Sequence, residues 1–432
     1  MNRCALLLIF ATGLPFTATT ASPVAAQTTA PPVVIPPADY VPPRGYVCFR
    51  SPQPLTLDGR LDEPAWQSAP WTEDFGDIEG DRKPKPRFRT RAKMLWTDQG
   101  LYVGAQLDEP HVWGTITVRE SVIFHENDFE VFLDPDGDSH NYGEFELNAV
   151  NGAWDLRLNK PYKDGGKADD GWEIPGVQSA IHVQGTLNNP ADLDEGWSIE
   201  ILCPFNMLAT LNDPAAPVRE AQRDGSIFRE YAAPLVPTAN GWTPLDASLR
   251  AAYLLRQDAE LKRLAQQSPL PRYIPRDGQH WRINFSRVEW QVEVVDGKYR
   301  RVPNKPEDNW VWSPQAKIDM HRPETWGYLQ FSTTVAGSQE AAATTFRPDP
   351  TGPARHLLSR VYYAQQAYRQ ANQRYAESLE DLKLGDLAHP SLAAPLRLET
   401  AADAFQAIAE VRVAADRTQQ VIVHSDARME TK

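Results

Sequence analysis

Four carboxylates and an amide share one face of the stretch His125–Asn148 (HENDFEVFLDPDGDSHNYGEFELN). Strand alternation puts Phe129, Val131 and Leu133 on one side of a first strand, and Asp128, Glu130 and Phe132 on the other. The return strand puts Phe145 and Leu147 on the apolar side, with Glu144, Glu146 and Asn148 on the polar side. An antiparallel hairpin gathers same-face residues, and like charges at that range repel. Such a patch needs a cation, a basic side chain or ligand hydroxyls. Carboxylates accept hydrogen bonds from sugar hydroxyls. Two carboxyls at ~5 or ~6.5–9.5 Å, one with a raised pKa, also serve glycoside hydrolysis. No apolar pocket for a proton-bearing acid is visible in the sequence. Sugar binding is therefore the preferred reading, and hydrolysis or lyase chemistry the alternative.

The turn of this hairpin, Asp134-Pro135-Asp136-Gly137-Asp138, alternates carboxylates around a glycine, as oxygen-rich calcium loops do. Asp134, Asp136 and Asp138 are the candidate calcium ligands. A β-turn rich in Asp and Gly has the same composition for conformational reasons, and both readings stand. His111, His125, His140, His182, His280 and His321 lack ligand spacing and are assigned no metal. There is no nucleophile elbow, phosphate-cradling glycine loop or CxxC pair. Further on, Asn309-Trp310-Val311-Trp312-Ser313-Pro314 places two indoles on one side if extended, in a polar, Pro-bounded setting. An indole face can grip a sugar ring; it can equally anchor a loop on the core.

Positioning these groups takes a β framework. From Tyr46 to about Phe331 short alternating runs are broken by Gly, Pro, Asp and Asn. The strands expected are Ala92–Trp96, Leu101–Leu107, Asp128–Asp134, Gly143–Ala149, Trp154–Leu158, Ile181–Gln184, Trp197–Cys203, Trp281–Trp290 and Trp326–Ser332. Their number and spacing predict a mainly β protein, an antiparallel two-sheet, jelly-roll-like sandwich over 46–335. An insertion at 212–275 carries a helix-like run, Ala247–Gln267, read as a surface excursion or a lid. The tail at 345–432 is expected to be α-helical, with helices at His356–Leu382 and Ala401–Thr418, and could contact a protein partner.

The N-terminus predicts export. Arg3, the apolar run Ala5–Ala11 and the small residues Val24-Ala25-Ala26 form a signal-peptide pattern over 1–26. A Pro-rich tether follows at 27–45, and the expected location is periplasmic or secreted. No run offers a transmembrane segment. The net charge of -13, with no basic run, makes nucleic acid and anionic membranes poor partners. Cys48 and Cys203 remain after export, as a disulfide or as free thiols.

One ordered set of motifs resembles a known family. It comprises Leu57-Asp58-Gly59-Arg60-Leu61-Asp62-Glu63 with Trp66, Ala92–Trp96 leading into Leu101-Tyr102-Val103, Asp128–Asp134, Gly196–Glu200, Pro204-Phe205 and Trp326–Phe331. Together these resemble family 9 carbohydrate-binding modules and their exported bacterial relatives. The resemblance covers about Tyr46–Phe331 and not the tail. It implies a calcium-bearing sandwich that clamps a terminal sugar between two aromatic rings. By motif alignment Glu130 falls on an acidic sugar-binding position and Asn148 on a polar one in the neighbouring strand. Phe124 falls on the first clamp position, and the second falls near Met320, close to Trp310 and Trp312. Glu146 stands where the family has a basic residue, which separates this ligand from the family's. The expected site is thus Phe124, Asp128, Glu130, Glu146, Asn148, Trp310 and Trp312, serving non-catalytic glycan recognition. A third reading is an envelope interaction or assembly protein that keeps only the sandwich.

Overall fold

A computed structural model describes residues 40–211 and 273–432, apart from residues 171, 175 and 386. The expected signal peptide, residues 27–39 of the tether and the helix expected at 247–267 lie outside the described residues. The principal strands are β1 (Gly45–Arg50), β2 (Thr90–Trp96), β3 (Gly100–Asp108), β4 (Asp128–Asp134), β5 (Tyr142–Asn148) and β6 (Ala153–Leu158). They continue with β7 (Gln178–Gln184), β8 (Gly196–Pro204), β9 (His280–Glu289), β10 (Asp308–Val311) and β11 (Gly327–Val335). The strands expected from alternation all form, with ends shifted by a few residues.

These strands follow one hydrogen-bonded path, β6-β5-β4-β9-β11-β1-β2-β3-β8-β7. This corrects the expected architecture in two respects. First, the halves are not separately hydrogen-bonded sheets, because β1 pairs with β11 on one side and with β2 on the other. Second, both of those pairings are parallel. The β1–β2 seam is only two residue pairs long, Phe49 with Leu95 and Arg50 with Trp96. The rest of the path from β6 to β11 and from β2 to β7 is antiparallel. A single core cluster draws on both ends: Phe129, Val131 and Leu133 of β4 meet Val103 and Leu107 of β3 and Ile199 and Ile201 of β8. The path therefore curls over on itself and buries its apolar faces together.

The motif LDGRLDE…W turns out to be a structural clamp. Glu200, fully buried on β8, accepts hydrogen bonds from the Asp58 and Gly59 amides, both at 2.8 Å, and from Trp66 Nε1 at 2.6 Å. Ser198 Oγ donates to the Gly59 carbonyl at 2.7 Å. Gly59 sits at φ 85°, and a Cβ there would lie 2.3 Å from the Ile181 carbonyl carbon. Only glycine fits. Glu200→Gln should destabilise by about 2–4 kcal/mol, since an amide offers one acceptor oxygen where three donors converge. Urea denaturation would read it as a lowered midpoint with an unchanged slope.

The tail is not all α-helical as expected, but mixed. It has one long helix, Gly352–Asn372, and a four-stranded antiparallel sheet of Arg397–Thr400, Phe405–Ala414, Arg417–His424 and Met429–Thr431. The run expected as a helix at 401–418 is mostly the second of these strands. Phe405, Ala407, Ala409 and Val411 alternate into a core shared with Leu357, Leu358 and Val361 of the helix. This unit is docked on the sandwich. Arg355 Nη1 donates to the Gly137 carbonyl at 2.8 Å, and the Met429 amide to the Asp138 carbonyl at 2.9 Å. Tyr362 donates to Asp164 and Tyr363 to Glu324. Burial opposes ionisation of Glu324, yet Lys163, Arg322 and the Tyr363 hydroxyl hold its carboxyl down at about 2. Among the described residues no helix is long and apolar enough to cross a membrane. Cys48 and Cys203 are buried free thiols, and burial pushes Cys203 up to about 12.

Candidate functional site

Register builds the site. In the β4–β5 ladder Asp128 faces Asn148, Glu130 faces Glu146 and Phe132 faces Glu144. In the β5–β6 ladder Glu146 faces Trp154 and Glu144 faces Leu156. All these side chains point to the face opposite the main core. That face is covered by a second apolar cluster containing Ile78, Phe132, Trp154, Leu156 and Met320. Between cover and strands lies a cavity of about 420 Å³. Glu130, Glu144 and Glu146 line it, joined by Glu307, Asp319 and His321. Phe124, Phe132, Trp154 and Tyr162 supply aromatic rings. The volume falls in the range of small-molecule sites, roughly 300–1,000 Å³.

The floor is strongly acidic and shielded from water. Burial pushes Glu130 up to about 7 and holds Asp128, Glu144 and Glu146 well above the usual carboxylate range, each raised further by neighbouring carboxylates. Backbone amides orient two of the groups: Phe124 N donates to Glu146 Oε2 at 3.2 Å, and Val288 N to Asp128 Oδ1 at 3.2 Å. Glu144 Oε2 lies 3.9 Å from His321 Nε2. Burial lowers His321 to about 3, so that imidazole is neutral and does not balance the carboxyls.

The expected site residues divide. Phe124, Glu130 and Glu146 line the cavity; Phe124 is 37% exposed, with its ring 6.5 Å from that of Trp154. Asp128 is fully buried and lies outside the cavity lining. Asn148 is also outside it, because its amide is spent on structure. Its Nδ2 donates to the Ile116 carbonyl at 2.8 Å and to Glu126 Oε2 at 3.1 Å, while its Oδ1 accepts from the Val150 and Gly152 amides. Trp310 and Trp312 require correction as stacking rings. They do share one side of the chain, but that side faces the main core, where both are buried. Trp312 Nε1 donates to Glu73 at 3.1 Å.

Alternation also carried a signal for a ring that sequence reasoning left out. Trp154 and Leu156 lie on the same side of β6, and pairing with Glu146 and Glu144 puts that side over the cavity. Tyr162 arrives on a short 3-10 turn and Glu307, Asp319 and His321 on loops, which strand periodicity does not reach.

At the hairpin turn, Asp134 accepts from the Gly137 amide at 2.9 Å and the Ser139 amide at 3.0 Å. Asp138 Oδ1 accepts from the His140 amide at 2.7 Å. One oxygen each from Asp134, Asp136 and Asp138 falls within 4.8 Å of the others. These bonds shape the turn, and the all-oxygen donor set also fits a hard cation such as calcium.

Residues 57–186 match the family described as carbohydrate family 9 binding domain-like. The matched segment runs from the Glu200-clamped turn through β7 and contains the whole carboxylate hairpin. Solved structures resemble the chain as well. One is a family 9 carbohydrate-binding module from Caldicellulosiruptor kristjanssonii in complex with cellotriose, 11% identical, covering 71% of this chain and 100% of that one at a TM-score of 0.34. Another, from the same organism in complex with glucose, is 12% identical and covers 68% of this chain and 99% of that one, also at 0.34. They transfer no residue roles to this chain. No curated protein matches it.

Proposed function

We propose that this protein is an exported, non-catalytic glycan-binding protein whose cavity takes a neutral sugar unit. The observation that carries the reading is the cavity itself: buried carboxyls on its floor and aromatic rings beside them, within a family 9-like segment. Burial raises Glu130 to about 7 and raises Glu146 as well, and a carboxyl that keeps its proton both donates and accepts, so it can pair with hydroxyls in either direction. Glu130 and Glu146 would bond ring hydroxyls, while Phe124 and Trp154 would cover the C–H face. Support for export comes from the N-terminal Arg3, the apolar run after it and Val24-Ala25-Ala26. Calcium at Asp134, Asp136 and Asp138 belongs to the same proposal, resting on the fit of their oxygens to one ion.

A panel of neutral mono- and oligosaccharides, read by calorimetry and by release of reducing ends, tests this. Binding without hydrolysis is expected. Phe124→Ala, at a half-exposed ring, should weaken the bound sugar about threefold to tenfold while the melting temperature holds. Unchanged affinity would remove Phe124 from the site, and released reducing ends would make the carboxyl patch catalytic. Silence across the panel would overturn the reading.

A further inference from the structure

Asp128, Glu130 and Glu146 present one carboxylate oxygen each, all within 4.8 Å of one another and all buried. Oxygens bound to one calcium at about 2.4 Å can be at most about 4.8 Å apart. Asp128 Oδ2 is fully buried and has no hydrogen-bond partner among the described residues, although Oδ1 of the same group is held by Val288 N. Glu144 Oε2, on the cavity wall, is likewise without a hydrogen bond. Burying a carboxylate oxygen without a partner is expensive; buried charges are normally paired or bound to metal. The charges that face these groups, among those that shift them most, are other carboxylates.

Two further acidic clusters are held in other ways. Glu120, Asp155 and Glu173 surround Arg119, which pairs with all three. Both oxygens of Asp134 at the hairpin turn accept backbone amides. Among the described residues the floor cluster has neither device. Instead, single amides fix Asp128 and Glu146 from one side, as outer-shell donors fix metal ligands.

We infer that Asp128, Glu130 and Glu146 form a calcium site at the floor of the cavity, distinct from the hairpin turn. The donors are all hard oxygens, which suits calcium over zinc or copper. Because Glu130 and Glu146 also line the cavity, the open side of the ion faces the space where a ligand would sit. The site requires nothing of the sugar reading, and its test uses the metal alone.

The test takes the chelator-treated full chain carrying Asp136→Asn, so that the turn is disabled as a competing site. Calorimetric titration with calcium chloride should show one ion per chain and a raised melting temperature. Adding Glu130→Gln should weaken calcium at least about tenfold, in line with losses seen when metal sites lose a contributor. The same variant, measured without metal, should melt higher than its parent, because one carboxyl of a crowded buried cluster is gone. Glu146→Gln provides an independent second variant with the same two expectations. Calcium affinity unmoved by both substitutions, or no calcium bound at millimolar concentration, would overturn the site.

Discussion

In metal-free buffer the melting temperature should fall as the pH is raised from about 6.5 to about 8.5. The sign follows from the folded protein holding protons that the unfolded chain releases. Asp128, Glu144 and Glu146 have folded-state pKa values well above the ordinary range, with burial as the leading cause. Across this window the unfolded chain carries these groups ionised, while burial and the neighbouring carboxylates shift the folded chain toward the protonated form. Each such group costs about 1.4 kcal/mol per pH unit until its folded pKa is passed. Glu130, pushed up to about 7, contributes at the lower edge of the window. His321 works in the opposite direction, since burial lowers it to about 3. Its contribution is lost only as the pH falls below the usual imidazole value of about 6.5, so it is silent in this range. A pH series by differential scanning calorimetry checks the slope. A melting temperature that rises or stays flat would mean the floor is ionised and otherwise neutralised.

Trp312→Ala should destabilise the protein by about 3–5 kcal/mol, the usual cost of deleting a buried aromatic. Trp312 is fully buried, its ring is 6.0 Å from Phe285, and a Cβ at Gly327 would lie 2.4 Å from it. The backbone there is pinned as well, with Arg44 Nη1 donating to the Trp312 carbonyl at 2.5 Å. The measurement separates two roles. A core indole lowers stability and leaves the folded fraction's sugar affinity unchanged. A stacking indole would leave stability unchanged and lower affinity. Chemical denaturation together with a binding isotherm on the same sample distinguishes them.

The DFEVFLD hairpin was readable because its information is local. Alternation alone put Phe129, Val131 and Leu133 in the core and the carboxyls on the other face. For Trp310 and Trp312, alternation assigned a common side but not which side faced inward. That depends on pairing of β10 with β9, where Trp310 meets Arg287 and Asn309 meets Val288, and such a partner is invisible from NWVWSP. The tail failed for a different reason. AADAFQAIAEVRVAADRT carries seven alanines, the residue that most favours helix. Tertiary pairing with Arg417–His424 overrode that preference, although the period-two set Phe405, Ala407, Ala409 and Val411 was already present. The cavity residues outside the strands, Tyr162, Glu307, Asp319 and His321, carry no periodic signal.

The docking seam between the sandwich and the C-terminal unit bears on portability. Glu324 and Asp164 belong to the sandwich, yet each takes a hydrogen bond from a tyrosine of the following helix. The turn that caps the carboxylate hairpin is held from the same side, through Gly137 and Asp138. Residues 318–321, which wall the cavity, run directly into Arg322 and Glu324 at that seam. A sandwich whose polar groups are completed by its neighbour is not a free-standing cassette. Excised or grafted elsewhere, it would carry an unfinished face next to its own binding cavity, and would need the C-terminal unit to travel with it.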